Sequence, residues 1–261
     1  MKNILKSIFV IFVLSNLCAF NVFSSEETNK LLSNDWSFKG FTGKFDRASL
    51  QRGYQVYTEV CASCHSMKLL SYRNLAEEGG PEFSEDQVKA IASNFEVTDG
   101  PNNDGEMFTR PAKPSDNFVK PYQNVQEATV SNGGAYPPDM SVLVKARSGG
   151  ADYIYSLLLG YDDPPSNIQL DDGVYYNTYM PGNKIMMPNP LSEDLIEYND
   201  GTKATNEQMA KDVVTFLAWA AEPHLEARHR IGFKAIIYLI ILTLLAYFSM
   251  KRLWSRIEPK V

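Results

Sequence analysis

Cys61-Ala62-Ser63-Cys64-His65 brings two thiols and an imidazole together within five residues. In a C-x-x-C-H run the two sulfurs can add to the vinyl groups of a haem, while the adjacent histidine supplies one axial nitrogen to its iron. One helical turn would carry both sulfurs and the ring to the same porphyrin edge. A thioredoxin-like C-x-x-C needs a strand–helix–strand setting, which the flanking pattern lacks, and a tetrahedral zinc site needs four ligands. The remaining histidines, His224 and His229, lie beside an apolar C-terminal run. The motif therefore implies one covalently attached haem c, held by Cys61 and Cys64, with His65 as an axial ligand.

The opposite axial position decides between electron transfer and catalysis at an open iron. A second histidine ligand would have to be His224 or His229, which read as membrane-interface residues. Candidate sulfurs are Met67, Met107, Met140, Met180, Met186, Met187 and Met209. Met67 is too near His65 to reach the other haem face, and Met209 fits a helix core. The segment from Met180 to Pro190 is stiffened by three prolines. A residue before proline is held extended, so Met187, ahead of Pro188, is poised to project, with a core-filling methionine as the alternative. Partly buried haem propionates need donors; Arg147 is a candidate, against the plainer reading of a surface arginine.

These groups need elements to position them. The pattern predicts a helix from about residue 46 through 57 into the cysteine motif, with Leu50, Tyr54 and Tyr57 on one side. Shorter helices are expected near 84–94 and 151–159. Thr205 and Gln208 read as a capping box for a helix carrying Met209, Val213, Phe216, Leu217 and Ala220 at helical spacing, ended or kinked by Pro223. Eleven of the fourteen prolines fall between residues 95 and 190. So much irregular chain argues against an ordinary helix or sheet core and suits loops wrapped around a large apolar cofactor.

Charge and hydropathy set the location. Lys2, Lys6, the apolar run 8–14 and the small residues up to Ser24 read as a secretory signal, 1–24, whose removal takes Cys18 with it. Residues 25–223 hold 29 acidic and 16 basic side chains, whereas 224–261 hold 2 and 7. An acidic exported domain on a basic membrane end argues against nucleic acid and favours a basic partner. Ile231 to Met250 is long enough to cross a bilayer, with Lys234 able to snorkel. Domains of 25–223 and 224–261 follow, the second being a membrane anchor with a short cytoplasmic tail.

Several stretches together resemble cytochrome c1, the c-type haem subunit of the quinol–cytochrome c oxidoreductase (bc1) complex. They are RGYQVYTEVCASCHSM (52–67), DGPNNDGEMFTRPAKPSD (99–116), NGGAYPPDMS (132–141), ARSGGADYIYSLLLGY (146–161) and DVVTFLAWAAEP (212–223). The likeness runs from about residue 36 to 254. It implies a mainly α, cytochrome-c-like haem domain with long loop insertions, plus one C-terminal transmembrane helix. It also implies that the axial methionine is Met187 rather than Met186, and that Arg147, Tyr153 and Asn132 line the haem pocket. Some bacterial members carry a cysteine pair near the methionine loop; this chain has none there.

The resemblance further implies an electron carrier rather than an enzyme in its own right, working with cytochrome b. It would take electrons from the Rieske iron–sulfur protein and pass them to a basic or tethered cytochrome c. The expected setting is a bacterial inner (cytoplasmic) membrane, crossed once, with the haem domain in the periplasm. Glu77, Glu78, Asp162, Asp163, Asp171 and Asp172 could supply an acidic docking field. A peroxidase or reductase with a five-coordinate iron, and a carrier serving another complex, are the competing readings.

Overall fold

The structure, a computed structural model, describes residues 29–256. The signal segment 1–24 and the last five residues lie outside the described residues.

Two helices carry the core. Helix α1 (Arg47–Glu59) opens on Asp46, whose carboxylate accepts from the Ser49 amide at 3.0 Å. It buries Leu50, Gly53, Tyr54, Val56 and Tyr57. Helix α2 (Glu85–Ser93) opens on a Ser84–Gln87 capping box. Helix α3 (Val125–Ser131) and helix α4 (Gly150–Leu159) follow, then helix α5 (Asn206–Ala221) and helix α6 (Leu225–Trp254). Strands β1 (Glu96–Asp99) and β2 (Phe108–Pro111) form one antiparallel hairpin, and β3 (Tyr175–Tyr176) and β4 (Lys184–Ile185) a second. The mainly helical architecture follows the sequence expectation.

Helix α1 crosses α5 at Gly53. A Cβ there would collide with the Asp212 carbonyl and stand 2.7 Å from the Phe216 Cβ, so only glycine permits this approach. Around the crossing Tyr54 and Tyr57 pack on Phe216 at centroid distances of 5.7 and 5.8 Å, and Tyr72 stacks on Phe118 at 4.8 Å. Burial pushes the Tyr54 phenol up to about 12. Below these rings lies a charge. The fully buried Asp212 accepts from Ser49 Oγ (2.5 Å), from Arg52 Nε and Nη2 (2.8 and 3.1 Å) and from Gln208 Nε2 (2.9 Å).

That network explains one departure from the sequence reading. Thr205 Oγ1 does cap α5 through the Gln208 amide at 3.2 Å, but Gln208 does not return the bond. Its side chain is committed to Asp212, so the capping box is half formed. The five positions expected on the buried face, Met209, Val213, Phe216, Leu217 and Ala220, are all buried.

Pro223 separates α5 from α6. The thirty residues of α6 would span about 45 Å, none of them is buried, and the mean hydropathy of its apolar window is 2.2. This is one C-terminal transmembrane helix. Its first turns are tied to the core: Glu226 accepts from Arg47 Nη1 and Nη2 (2.8 and 3.0 Å) and from the Phe45 amide (2.9 Å). Arg230 reaches Glu78 at 2.7 Å, so Glu78 serves the anchor junction. Glu222 is bound by Lys145 and Arg228.

Candidate haem site

Helix α1 ends at Glu59, and its direction carries the chain into a 3-10 turn over Cys61–Ser63. The amides of Cys64 and His65 both point back to the Cys61 carbonyl, at 3.1 and 2.9 Å, which fixes the spacing of the motif. Cys61 and Cys64 are both free and half-buried. Desolvation, with Cys64 beside it, pushes the Cys61 thiol up to about 12, so it is protonated at neutral pH. Two unpaired thiols on one turn can each form a thioether.

His65 is buried, and its Nδ1 lies 2.8 Å from the Pro138 carbonyl. A carbonyl only accepts, so Nδ1 carries the proton and Nε2 keeps its lone pair. Among the described residues Nε2 has no hydrogen-bond partner. Burial lowers the His65 pKa more than the Pro138 bond and Asp139 raise it, which keeps the ring neutral, the form that binds a metal. The chain around Pro138 is held in turn. Asp139 accepts from Ser66 Oγ, the Lys68 amide and the Ser141 amide, at 2.8, 3.0 and 3.0 Å. Burial opposes the ionisation of Asp139, but these bonds outweigh it and its pKa falls.

The methionine loop hangs from helix α4. Asn177, fully buried, donates to the Leu157 carbonyl at 2.8 Å and accepts from the amides of Tyr179 and Met180. Tyr161 donates to the Met187 carbonyl at 3.0 Å and forms a bridge with Asn177. Of the seven candidate sulfurs, Met67, Met140 and Met209 are core residues, and Met107 is 61% exposed on the first hairpin. Met180 Sδ lies 3.7 Å from the Tyr153 hydroxyl, and the Met186 methyl rests near Gly133. Met187, half-buried, has its backbone fixed by Tyr161.

The other pocket candidates divide. Tyr153 sits on α4 between the Met180 sulfur and Arg147, whose charge acts on its phenol, though burial still raises the Tyr153 pKa. Arg147 is exposed and donates to the Ala146 carbonyl beside it at 3.2 Å. Asn132 caps α3, donating to the Ala128 carbonyl at 2.7 Å. A cavity of about 170 Å3 adjoins Cys64, with Ser66, Ala128, Tyr136 and Pro137 among its walls. It is smaller than the roughly 300–1,000 Å3 of ordinary cofactor pockets. The fit to haem therefore rests on the donors: two free thiols and an imidazole with its tautomer set.

Sequence reasoning did not single out Pro138, Asp139, Tyr161 or Asn177. The Pro137-Pro138 pair was a usable signal, since a stiffened carbonyl is a good orienting partner for a histidine. A lone asparagine such as Asn177 carries no local signal.

Residues 36–257 match the model of the Cytochrome C1 family. The chain is 49% identical over 225 residues to an Arabidopsis thaliana protein named cytochrome c1 1, heme protein, mitochondrial, covering 86% of this chain and 72% of the relative. To cytochrome c1 of Rhodospirillum rubrum it is 45% identical over 244 residues, covering 87% and 89%. It is 47% identical over 251 residues to cytochrome b/c1 of Bradyrhizobium diazoefficiens. That match covers 89% of this chain and 36% of the relative, so the chain spans about a third of that longer protein.

Proposed function

The chain belongs to the cytochrome c1 family, and on that footing we propose that it is the membrane-anchored electron-transfer subunit of a cytochrome bc1 complex. It receives electrons from the Rieske iron–sulfur protein and delivers them to cytochrome c. One haem c would be held by thioethers from Cys61 and Cys64, with His65 Nε2 and the Met187 sulfur as axial ligands. Such a group supplies one-electron chemistry between ferric and ferrous iron, and a thioether ligand with burial favours the ferrous side. The chain carries the electron and the whole complex is the quinol–cytochrome c reductase.

The observation that carries this reading is the His65–Pro138 bond beside two unpaired cysteines. Together they offer one imidazole nitrogen and two thiols within five residues. The remaining residues orient: Tyr161 and Asn177 hold the loop of Met187, and Tyr153, Asn132 and Arg147 line the cofactor's surroundings. Arg147 is the propionate donor in this reading, its guanidinium free of any carboxylate among the described residues. Residues 25–223 form the exported domain and 224–261 the anchor and tail, placing the haem domain in the periplasm of a bacterial inner membrane. The Bradyrhizobium relative, whose name joins b and c1, supports cytochrome b as the membrane partner.

Asp162, Asp163, Asp171 and Asp172 are exposed on the chain between α4 and β3, just ahead of the methionine loop, and suit a basic cytochrome c. Purifying the complex through a tag on this chain tests the proposal. Cytochrome b and the Rieske protein should co-purify, and quinol should reduce a covalently retained haem on this chain. Rapid stoichiometric carbon monoxide binding by the ferrous protein would contradict the six-coordinate relay.

A further inference from the structure

His65 and Pro138 come from chain segments 73 residues apart, and their contact is the end of a longer seam. Directly after His65, the Ser66 carbonyl accepts from the Met140 amide at 2.8 Å, and Ser66 Oγ donates to Asp139 at 2.8 Å. Asp139 also takes the Lys68 amide at 3.0 Å and the Ser141 amide at 3.0 Å. The seam closes with the Leu69 amide on Ser141 Oγ at 3.1 Å. Ser141 is fully buried, and Ser66, His65 and Met140 are each at most 8% exposed. One carboxylate thus makes two of the four bonds that hold residues 139–141 against 66–69, and its bond to the Ser141 amide braces its own segment.

We infer that Asp139 is a positioning residue for the axial nitrogen of His65, acting through the Pro138 carbonyl. This role rests on the ligand role of His65 proposed above and on the geometry of the seam. Asp139 is the residue after Pro138, so fixing its side chain on both sides of the seam fixes the direction of the preceding carbonyl. A carbonyl held on Nδ1–H does two things: it stops rotation of the ring and it raises the donor strength of Nε2. Pro137 and Pro138 limit the backbone's own freedom, and Asp139 supplies the remaining restraint. The Asp139 carboxylate also adds negative charge near the ring. Loosening the seam makes His65 a poorer donor to ferric iron, and removing the charge acts in the same direction. Both raise the reduction potential.

The test uses the full chain with haem attached and histidine labelled with 15N, as parent, Asp139→Asn, Ser66→Ala and an Asp116→Asn control. The control removes the charge from the pair that Asp116 makes, at 2.7 Å, with Arg110 of the first hairpin. Hyperfine-shifted ring-nitrogen resonances and the midpoint potential are read together with thermal stability. The resonances should move and the potential should rise in Asp139→Asn, and less so in Ser66→Ala, which changes no charge. The control should move neither. Unchanged resonances and potential in both seam variants, with thermal stability alone reduced, would overturn the inference and leave Asp139 a structural residue. A parent with no hyperfine-shifted histidine nitrogen would overturn the ligand role of His65 itself.

Discussion

The α1–α5 crossing and the wall from Asn132 to Met187, which carry the two parts of the proposed haem site, are held by opposite means. The crossing is two regular helices locked by Gly53, a shell of aromatic rings and the buried Asp212 network. It delivers Cys61, Cys64 and His65 at the end of α1. The wall has one ten-residue helix and little other regular structure, and its order comes from single side chains acting as hubs: Asp139, Asn177 and Tyr161. The Cys61–His65 turn is thus built on the helical core. Changes to the Met187 loop are therefore expected to perturb the proposed site more than the fold.

The strongest challenge to that contrast is Asp212→Ala. It leaves Arg52, only 16% exposed, without its buried partner, and it orphans Ser49 and Gln208. Breaking a buried pair this way costs about 3–5 kcal/mol. Thermal unfolding should fall steeply; a change near zero would show that the network is dispensable. Asn177→Ala should cost less, about 1–3 kcal/mol for the partners it leaves unsatisfied. Yet it should weaken the sulfur-to-iron absorption of the ferric form, which Asp212→Ala in its surviving folded fraction should leave unchanged. A smaller effect still is expected from Tyr161→Phe: about 0.5–1.5 kcal/mol for one hydrogen bond, with the same absorption band broadened.

Acid separates the regions most gently. The Thr202 amide and then the Arg52 guanidinium pull Asp200 down to about 2. Its unfolded value is about 3.9, so its contribution is fully present above that pH. The contribution is lost as pH falls through about 2. Urea unfolding at successive pH values should show an acid loss in the parent that Asp200→Asn lacks. Equal acid sensitivity in both would assign that loss to other carboxylates.

Legibility followed the same divide. The α1 and α5 faces were readable because helical periodicity reports burial directly: Leu50, Tyr54, Met209, Val213 and Phe216 all fall where spacing put them. The C-x-x-C-H motif was readable as chemistry. The proline-rich wall announced itself as irregular, but not how it is held, because Asn177 and Tyr161 act across gaps of 16–26 residues with no repeating pattern. Helix α3 and both short hairpins were not foreseen, being too short for periodicity to register. The half-formed cap at Thr205 failed for a related reason: Gln208 was claimed by a carboxylate that interacts with residues on another helix.

Axial ligation by His65 and Met187 is read out by the ferric absorption spectrum of Met187→Leu beside Met186→Leu. The sulfur-to-iron charge-transfer band of the parent should disappear in Met187→Leu and persist in Met186→Leu. Loss of the band in Met186→Leu with retention in Met187→Leu would move the axial sulfur to Met186.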